Sequence, residues 1–366
     1  MTHTAHNLLI SRVREWLIEA GLDAAYLTDP VTVAHLTGLR VDPFERLMAV
    51  AVTRTEATLV LPAIEQDKAA AAARGVRLAP WADGQDPYAL VTAALSGAGT
   101  IAVEKRHISL EAAETLLART GLSRLDDAGP WMRSLRRLKT EREIALLAEA
   151  AKITDDITER VMAEIRVGMT EAEIARRIDS MIEEAGARPS FSTIVLSGPN
   201  SALPHGVPGP RRLVPGDLVL IDFGAAHEGY CADTTRVAVV GDPDERQREM
   251  HDLVARAQRQ AVATIRAGVT VGAVDAAARD IISDAGHGPL FFHRTGHGLG
   301  LQAHEEPNLD PGSDRVLEAG AVVTVEPGVY LPGWGGIRIE DDVVVEAGGA
   351  RLLTTADRSL RVIPAN

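Results

Sequence analysis

Five residues between Val219 and Asp342 could do chemistry together: Asp222, Asp233, His297, Glu326 and Glu340. Asp222 interrupts the apolar run Val219-Leu-Ile-Asp222-Phe-Gly224, and Asp233 opens a second β-rich run that ends at Val240. If these runs fold back on each other, the midpoint of the two aspartates falls at His227-Glu228, inside the polar turn Ala226 to Gly229. That register sets the two carboxylates opposite one another on one face. The pattern recurs downstream, where Val322 to Glu326 runs up and Gly336 to Glu340 runs back. The midpoint of the two glutamates is Gly333, within Leu-Pro-Gly333-Trp-Gly-Gly.

Carboxylates set in apolar strands are costly unless something positive meets them. A metal ion answers that cost. Between the hairpins lies Thr295-Gly-His297-Gly-Leu-Gly-Leu301, where glycines let backbones approach closely and the imidazole can serve as a nitrogen ligand. Two Asp, two Glu and one His are too many ligands for one tetrahedral zinc. They suit two adjacent divalent ions that share carboxylates.

The elements that must position these groups can be read from the rest of the chain. Its 366 residues exceed what one core usually spans, which predicts two domains. Helical periodicity covers Leu8 to Ala20, and Gly21 closes that helix. Strands are expected at Ala24 to Leu27, Leu47 to Val52, Thr58 to Leu61, Arg77 to Ala79 and Thr100 to Val103. Helices are expected at Gln66 to Arg74, Pro87 to Leu95 and Leu110 to Arg119. Alternation of this kind makes residues 1–137 a small α/β domain, with the catalytic domain spanning 138–366. The basic run Pro130 to Thr140, which could bind an acidic partner, is read instead as a linker helix with a solvated face, leading into a long helix from Glu141 to about Glu164.

Beyond it the chain repeats itself. Ile165-Arg-Val-Gly168-Met-Thr170 returns as Ile265-Arg-Ala-Gly268-Val-Thr270, and both copies run on to Ala-Gly, at Gly186 and Gly286. Each Gly is expected to stop one helix and each Thr to cap the next, with Thr170 and Glu173 forming a capping box. One acidic hairpin follows each copy. A pseudo-twofold domain follows, with helices outside, a curved sheet inside and metals between the halves.

The composition is 46% hydrophobic and 24% charged, an ordinary globular balance, and the net charge of -13 argues against nucleic-acid binding. The single cysteine, Cys231, rules out an intrachain disulfide framework, fits a reducing compartment and reads as inert packing beside Asp233. No apolar run approaches the roughly 20 residues of a membrane span, and the N-terminus shows no signal-peptide core. A cytoplasmic protein without membrane or nucleic-acid partners is expected.

The motifs Leu-Ile-Asp222-Phe-Gly, Ala-Asp233-Thr-Thr-Arg, Thr-Gly-His297-Gly-Leu-Gly, His304-Glu-Glu-Pro, Val-Glu326-Pro-Gly and Ile-Arg-Ile-Glu340-Asp resemble those of the "pita-bread" metallopeptidases. That group includes methionine aminopeptidase, aminopeptidase P, prolidase and the metal-free creatinase. The preceding α/β domain resembles that of the proline-specific members and creatinase. The resemblance implies a creatinase-like α/β N-terminal domain and an α+β pita-bread catalytic domain. It implies that Asp222 chelates one metal, that Asp233 and Glu340 bridge both, and that His297 and Glu326 complete the second. The ions would be Mn, Co or Zn, with Mn favoured by the oxygen-rich set. A metal-bridging hydroxide would attack the Xaa-Pro carbonyl, with Glu326 carrying its proton and His205 and His304 holding substrate and stabilising the oxyanion. Tyr330 and Arg338 would orient the ligands, and His293 would line the pocket.

The resemblance points to an Xaa-Pro dipeptidase acting on small peptides, with aminopeptidase P activity on longer peptides as the alternative. Creatinase-like amidine hydrolysis and a non-catalytic binding module are the readings of other classes, and the full ligand set argues against both. Several prolidases carry Arg four residues after the position of His304, whereas Asn308 stands here. Arg46, or else Arg40, in the loop Gly38 to Leu47, is the expected replacement, and a homodimer is the expected assembly.

Overall fold

A computed structural model describes residues 3–365. The first two residues of the N-terminal stretch discussed above, and Asn366, lie outside them. The chain forms two compact units, Met1–Leu135 and Arg136–Asn366.

The first unit is built on a six-stranded mixed sheet. In spatial order its strands are Arg77–Trp81, Ala57–Pro62, Ala49–Thr53, Ala24–Leu27, Ile101–Val103 and Asp126–Asp127. Alternate residues supply two separate cores: Ala25, Leu27, Val50, Val52, Leu59 and Leu61 pack on one face, while Ala24, Tyr26, Ala49, Ala51 and Val60 pack on the other. Period-two alternation between two apolar faces is what helices on both sides of a sheet require. All five expected strands and all four expected helices are present. The expected linker helix is present as Gly129–Arg137, and one further helix, Pro30–Thr37, was not foreseen.

In the second unit the duplicated segments become two helix pairs, Glu141–Glu164 with Glu171–Glu184, and Glu245–Thr264 with Val271–Asp284. Thr170 and Glu173 form the expected capping box, and Thr270 accepts the N–H of Ala273. Gly168 and Gly268 share a left-handed φ of 84° and 88°. They do not stop the preceding helices, which have already ended at Glu164 and Thr264 with extended caps at Ile165 and Ile265. Their role is to turn the connecting chain toward its threonine cap. Gly168 donates to Leu213 and Gly268 to Leu317, at 2.9 Å in both copies.

Strand Leu218–Phe223 lies between the halves. Val219, Ile221 and Phe223 pack toward the first helix pair, whereas Leu218 and Leu220 join the core of the second. Burial on both faces explains its unbroken apolar run. Asp222 falls on the face of Leu218 and Leu220, where the strand reaches the site.

Candidate active site

The first hairpin differs in register from the expectation. Asp222 pairs with Thr235, not with Asp233, and the same register continues through Ala226 with Cys231 to His227 with Tyr230. Glu228 and Gly229 form the two-residue turn, with φ of 46° and 79°. Both central residues of a type I′ hairpin turn need positive φ, so Gly229 fixes the centre two positions off in register from the symmetric guess. A shift of two preserves the face, and Asp233 sits diagonally across from Asp222. The second hairpin is as expected: Val325 pairs with Asp341 and Gly328 with Arg338, a register that sets Glu326 against Glu340.

Asp233, His297 and Glu340 are buried, and each offers a ligand atom within 4.8 Å of the others. The Nε2 of His297 lies 3.3 Å from Glu326 Oε1 and 3.9 Å from Asp233 Oδ2. Its Nδ1 donates to the Gly298 carbonyl at 3.1 Å in the tautomer that leaves the Nε2 lone pair facing those carboxylates. Glycine on either side lets this segment in. A Cβ on Gly296 would stand 2.0 Å from the Thr324 carbonyl oxygen, and one on Gly298 would stand 2.4 Å from that of Glu306.

Arg338, 3% exposed, braces the other side. It donates to Asp222 Oδ2, to Thr235 Oγ1 at 2.9 Å and to the Tyr330 hydroxyl at 2.8 Å. Thr235 in turn donates to Glu340 Oε2 at 2.6 Å. His293 Nε2 reaches the same Tyr330 hydroxyl at 3.0 Å. Asp342 Oδ2 accepts the backbone N–H of Asp233 at 3.0 Å, and Arg236 donates to the Glu340 carbonyl at 2.6 Å while pairing with Asp341 at 2.8 Å. Thr235, Arg236 and Asp342 were not singled out from the sequence. Their signal was only adjacency to Asp233 and Glu340.

His304 lies against His297, with ring centroids 4.0 Å apart and planes tilted by 59°, and is exposed, as is His205. The loop bearing His205 is anchored by Glu171. This buried carboxylate accepts from Ser197 N at 2.7 Å, Ser197 Oγ at 2.8 Å and Gly209 N at 3.1 Å. Glu305, beside His304, is held by Arg136 and Lys139, each at 3.2 Å. Both cations are buried, so this part of the Pro130–Thr140 run is not the solvated face expected of it; a buried carboxylate claims it. Arg46 lies in the first unit, where Asp83 accepts from its Nε and Nη2 at 3.0 Å and Glu45 from its Nη1 at 2.9 Å.

The electrostatics are those of a site built for cations. Burial raises the carboxyl groups of Asp222, Asp233, Glu340 and Asp342 above their ordinary range, with mutual repulsion adding to it at Asp233 and Glu340, and pushes Glu326 up to about 7. Burial lowers His297 to about 3 and His293 to about 4. Asp222 Oδ1 and Asp233 Oδ1 are buried with no hydrogen-bond partner among the described residues. Buried acceptors without donors, beside an imidazole lone pair, fit divalent cations. Cys231 is buried and its thiol is pushed up to about 12 by that burial, an inert group as expected.

Comparison with known proteins agrees. Residues 145–347 match the model of metallopeptidase family M24, and residues 10–138 match the creatinase/prolidase N-terminal domain. A putative dipeptidase of Bacillus subtilis is 39% identical, covering 97% of this chain and 99% of that protein. Among solved structures, an Xaa-Pro dipeptidase from Bacillus anthracis superposes with a TM-score of 0.91 at 34% identity, covering 97% and 99% of the two chains. An X-Pro aminopeptidase from Thermotoga maritima gives 0.88 at 33% identity, covering 96% and 99%. No helix among the described residues is long and apolar enough to cross a membrane. A creatinase/prolidase-type N-terminal unit thus precedes a carboxylate-rich catalytic unit, and the chain belongs to metallopeptidase family M24.

Proposed function

We propose that the chain is a dinuclear Xaa-Pro peptidase that prefers dipeptides, with manganese as its working ion. The observation that carries this reading is the buried group of Asp233, His297 and Glu340, flanked by Asp222 and Glu326, in which Asp222 Oδ1 and Asp233 Oδ1 find no donor among the described residues. Asp233 and Glu340 would be shared between two ions, Asp222 would complete one set, and His297 with Glu326 the other. When bound, such ions polarise water and the scissile carbonyl.

The chain's own residues supply the rest. Arg338 fixes Asp222 through one oxygen and leaves the other free to ligate. Thr235 holds Glu340, and Asp342 holds the backbone at Asp233. Glu326, with Thr324 donating to its Oε1 at 3.3 Å, takes a proton from the attacking water and passes it to the leaving nitrogen. His205 and His304, exposed at the mouth, hold the peptide and donate to the developing oxyanion. Proline's nitrogen carries no hydrogen, so this site accepts a tertiary amide and releases a secondary amine.

Similarity to the Bacillus anthracis Xaa-Pro dipeptidase supports the substrate class. The likeness to the Thermotoga maritima aminopeptidase supports the second reading, cleavage of longer Xaa-Pro peptides. The test is a turnover panel of Ala-Pro, Ala-Pro-Ala and Met-Ala after reconstitution with Mn, Co or Zn. Cleavage of Met-Ala but of neither proline peptide would refute the reading; faster cleavage of the tripeptide would establish the second.

A further inference from the structure

Arg294 stands between two residues that the site uses. His293 on one side contacts the Tyr330 hydroxyl, and the carbonyl of Thr295 on the other accepts the N–H of Glu326 at 2.8 Å. The segment also runs beside Asn308: Thr295 N donates to the Leu309 carbonyl at 3.3 Å, and Leu309 N donates to that of Gly296 at 2.8 Å. Arg294 is half-buried, and its guanidinium has no hydrogen-bond or ion-pair partner among the described residues. Its positive charge is felt at His297, His304 and Glu326, whose proton affinities it lowers, so the guanidinium lies within electrostatic reach of the metal-ligand cluster.

Three other candidate cations are committed. Arg338 is saturated by Asp222, Thr235 and Tyr330. Arg279 is bidentate to Asp275 and donates to the carbonyls of Phe291 and His293. Arg46 is claimed by Asp83 and Glu45. A partly desolvated guanidinium without a counter-charge is unfavourable until an anion arrives, and its planar fork matches a carboxylate.

We propose that Arg294 receives the C-terminal carboxylate of the substrate and thereby selects dipeptides over longer or amidated peptides. The inference rests on the Xaa-Pro reading above and names the group that sets its length preference. Arg294 touches no scissile atom; it is a specificity residue.

The experiment compares Ala-Pro with Ala-Pro-amide on manganese-loaded wild type, Arg294→Met and Arg294→Lys. Losing a charge-assisted pair is expected to raise KM for Ala-Pro about ten- to a hundredfold in Arg294→Met. The acid-to-amide ratio of kcat/KM should fall toward one, and Arg294→Lys should recover part of it. An unchanged ratio in Arg294→Met, or equal losses on acid and amide, would overturn the assignment. Calorimetric binding of L-proline against L-prolinamide provides a readout independent of turnover. A preference for L-proline that disappears in Arg294→Met supports the assignment, and equal binding in wild type overturns it. Wild type that cleaves neither peptide would instead sink the Xaa-Pro reading, leaving the binding measurement to decide the role of Arg294. Arg294→Gln replaces the Met variant if that protein does not fold.

Discussion

Stripping the divalent ions should make the protein less stable as pH rises above neutrality, and Glu326 shows why. Burial raises its carboxyl from the ordinary 4.5 to about 7. Between those values the folded state holds a proton that the unfolded chain has released, so stability falls as pH rises through the folded pKa. The whole titration corresponds to about 3 kcal/mol, of which about 1 kcal/mol falls between pH 6.5 and 9. Asp222, Asp233, Glu340 and Asp342 are raised too and act in the same direction. The depressed histidines have the opposite sign: His297, lowered to about 3, contributes stability that is lost as pH falls below its unfolded value. At pH 6.5 these histidines, half protonated in the unfolded chain, still oppose the carboxylates and drop out only above about pH 7.5; common to wild type and Glu326→Gln, they cancel in the difference between the two. Melting curves of chelator-treated and manganese-loaded protein at pH 6.5, 7.5 and 9 are the assay. For a unit of this size each kcal/mol is worth about 2–4 °C, so between pH 6.5 and 9 the metal-free wild type should lose about 2–4 °C relative to metal-free Glu326→Gln. Glu326→Gln should flatten part of that slope, which separates it from general repulsion at a net charge of -13. A pH slope of the metal-free protein left unaltered by Glu326→Gln would refute the reasoning.

Asp233→Ala should abolish stoichiometric metal retention, measured by elemental analysis after gel filtration, and reduce turnover to background. Gly296→Ala places a Cβ 2.0 Å from the Thr324 carbonyl oxygen, so His297 must shift; kcat/KM should fall at least about a hundredfold. Gly348→Ala, with nothing within 4 Å, serves as its silent control. Arg338→Met leaves Asp222 and Tyr330 without their donor and should cost about 3–5 kcal/mol in urea unfolding of the metal-free protein.

The ease of reading each part from sequence followed how local its determinants are. Glu326 and Glu340 could be paired in advance because Gly333, with φ of 79°, lies in the loop at the centre of their hairpin. The first hairpin slipped because symmetry about the carboxylates was assumed, when the positive φ of Glu228 and Gly229 decides the centre. Helix Pro30–Thr37 carried its own punctuation in Asp29, Pro30 and Gly38, but its β-branched, largely apolar residues obscured it. Thr235, Asp342 and Arg294 had no sequence signature beyond adjacency to the ligand motifs. Their significance comes from neighbours that the fold delivers, such as the N–H of Asp233 brought to Asp342.

The division of the ligand residues between the two hairpins also governs when the chain could become a hydrolase. Asp222 and Asp233 come from the earlier hairpin, His297, Glu326 and Glu340 from later sequence, and Arg236 grips the Glu340 carbonyl only once both are present. A polypeptide still being synthesised past its first helix pair would own two acids and no working centre. Competence to cut amides would therefore come late in synthesis, only when the second half has folded against the first.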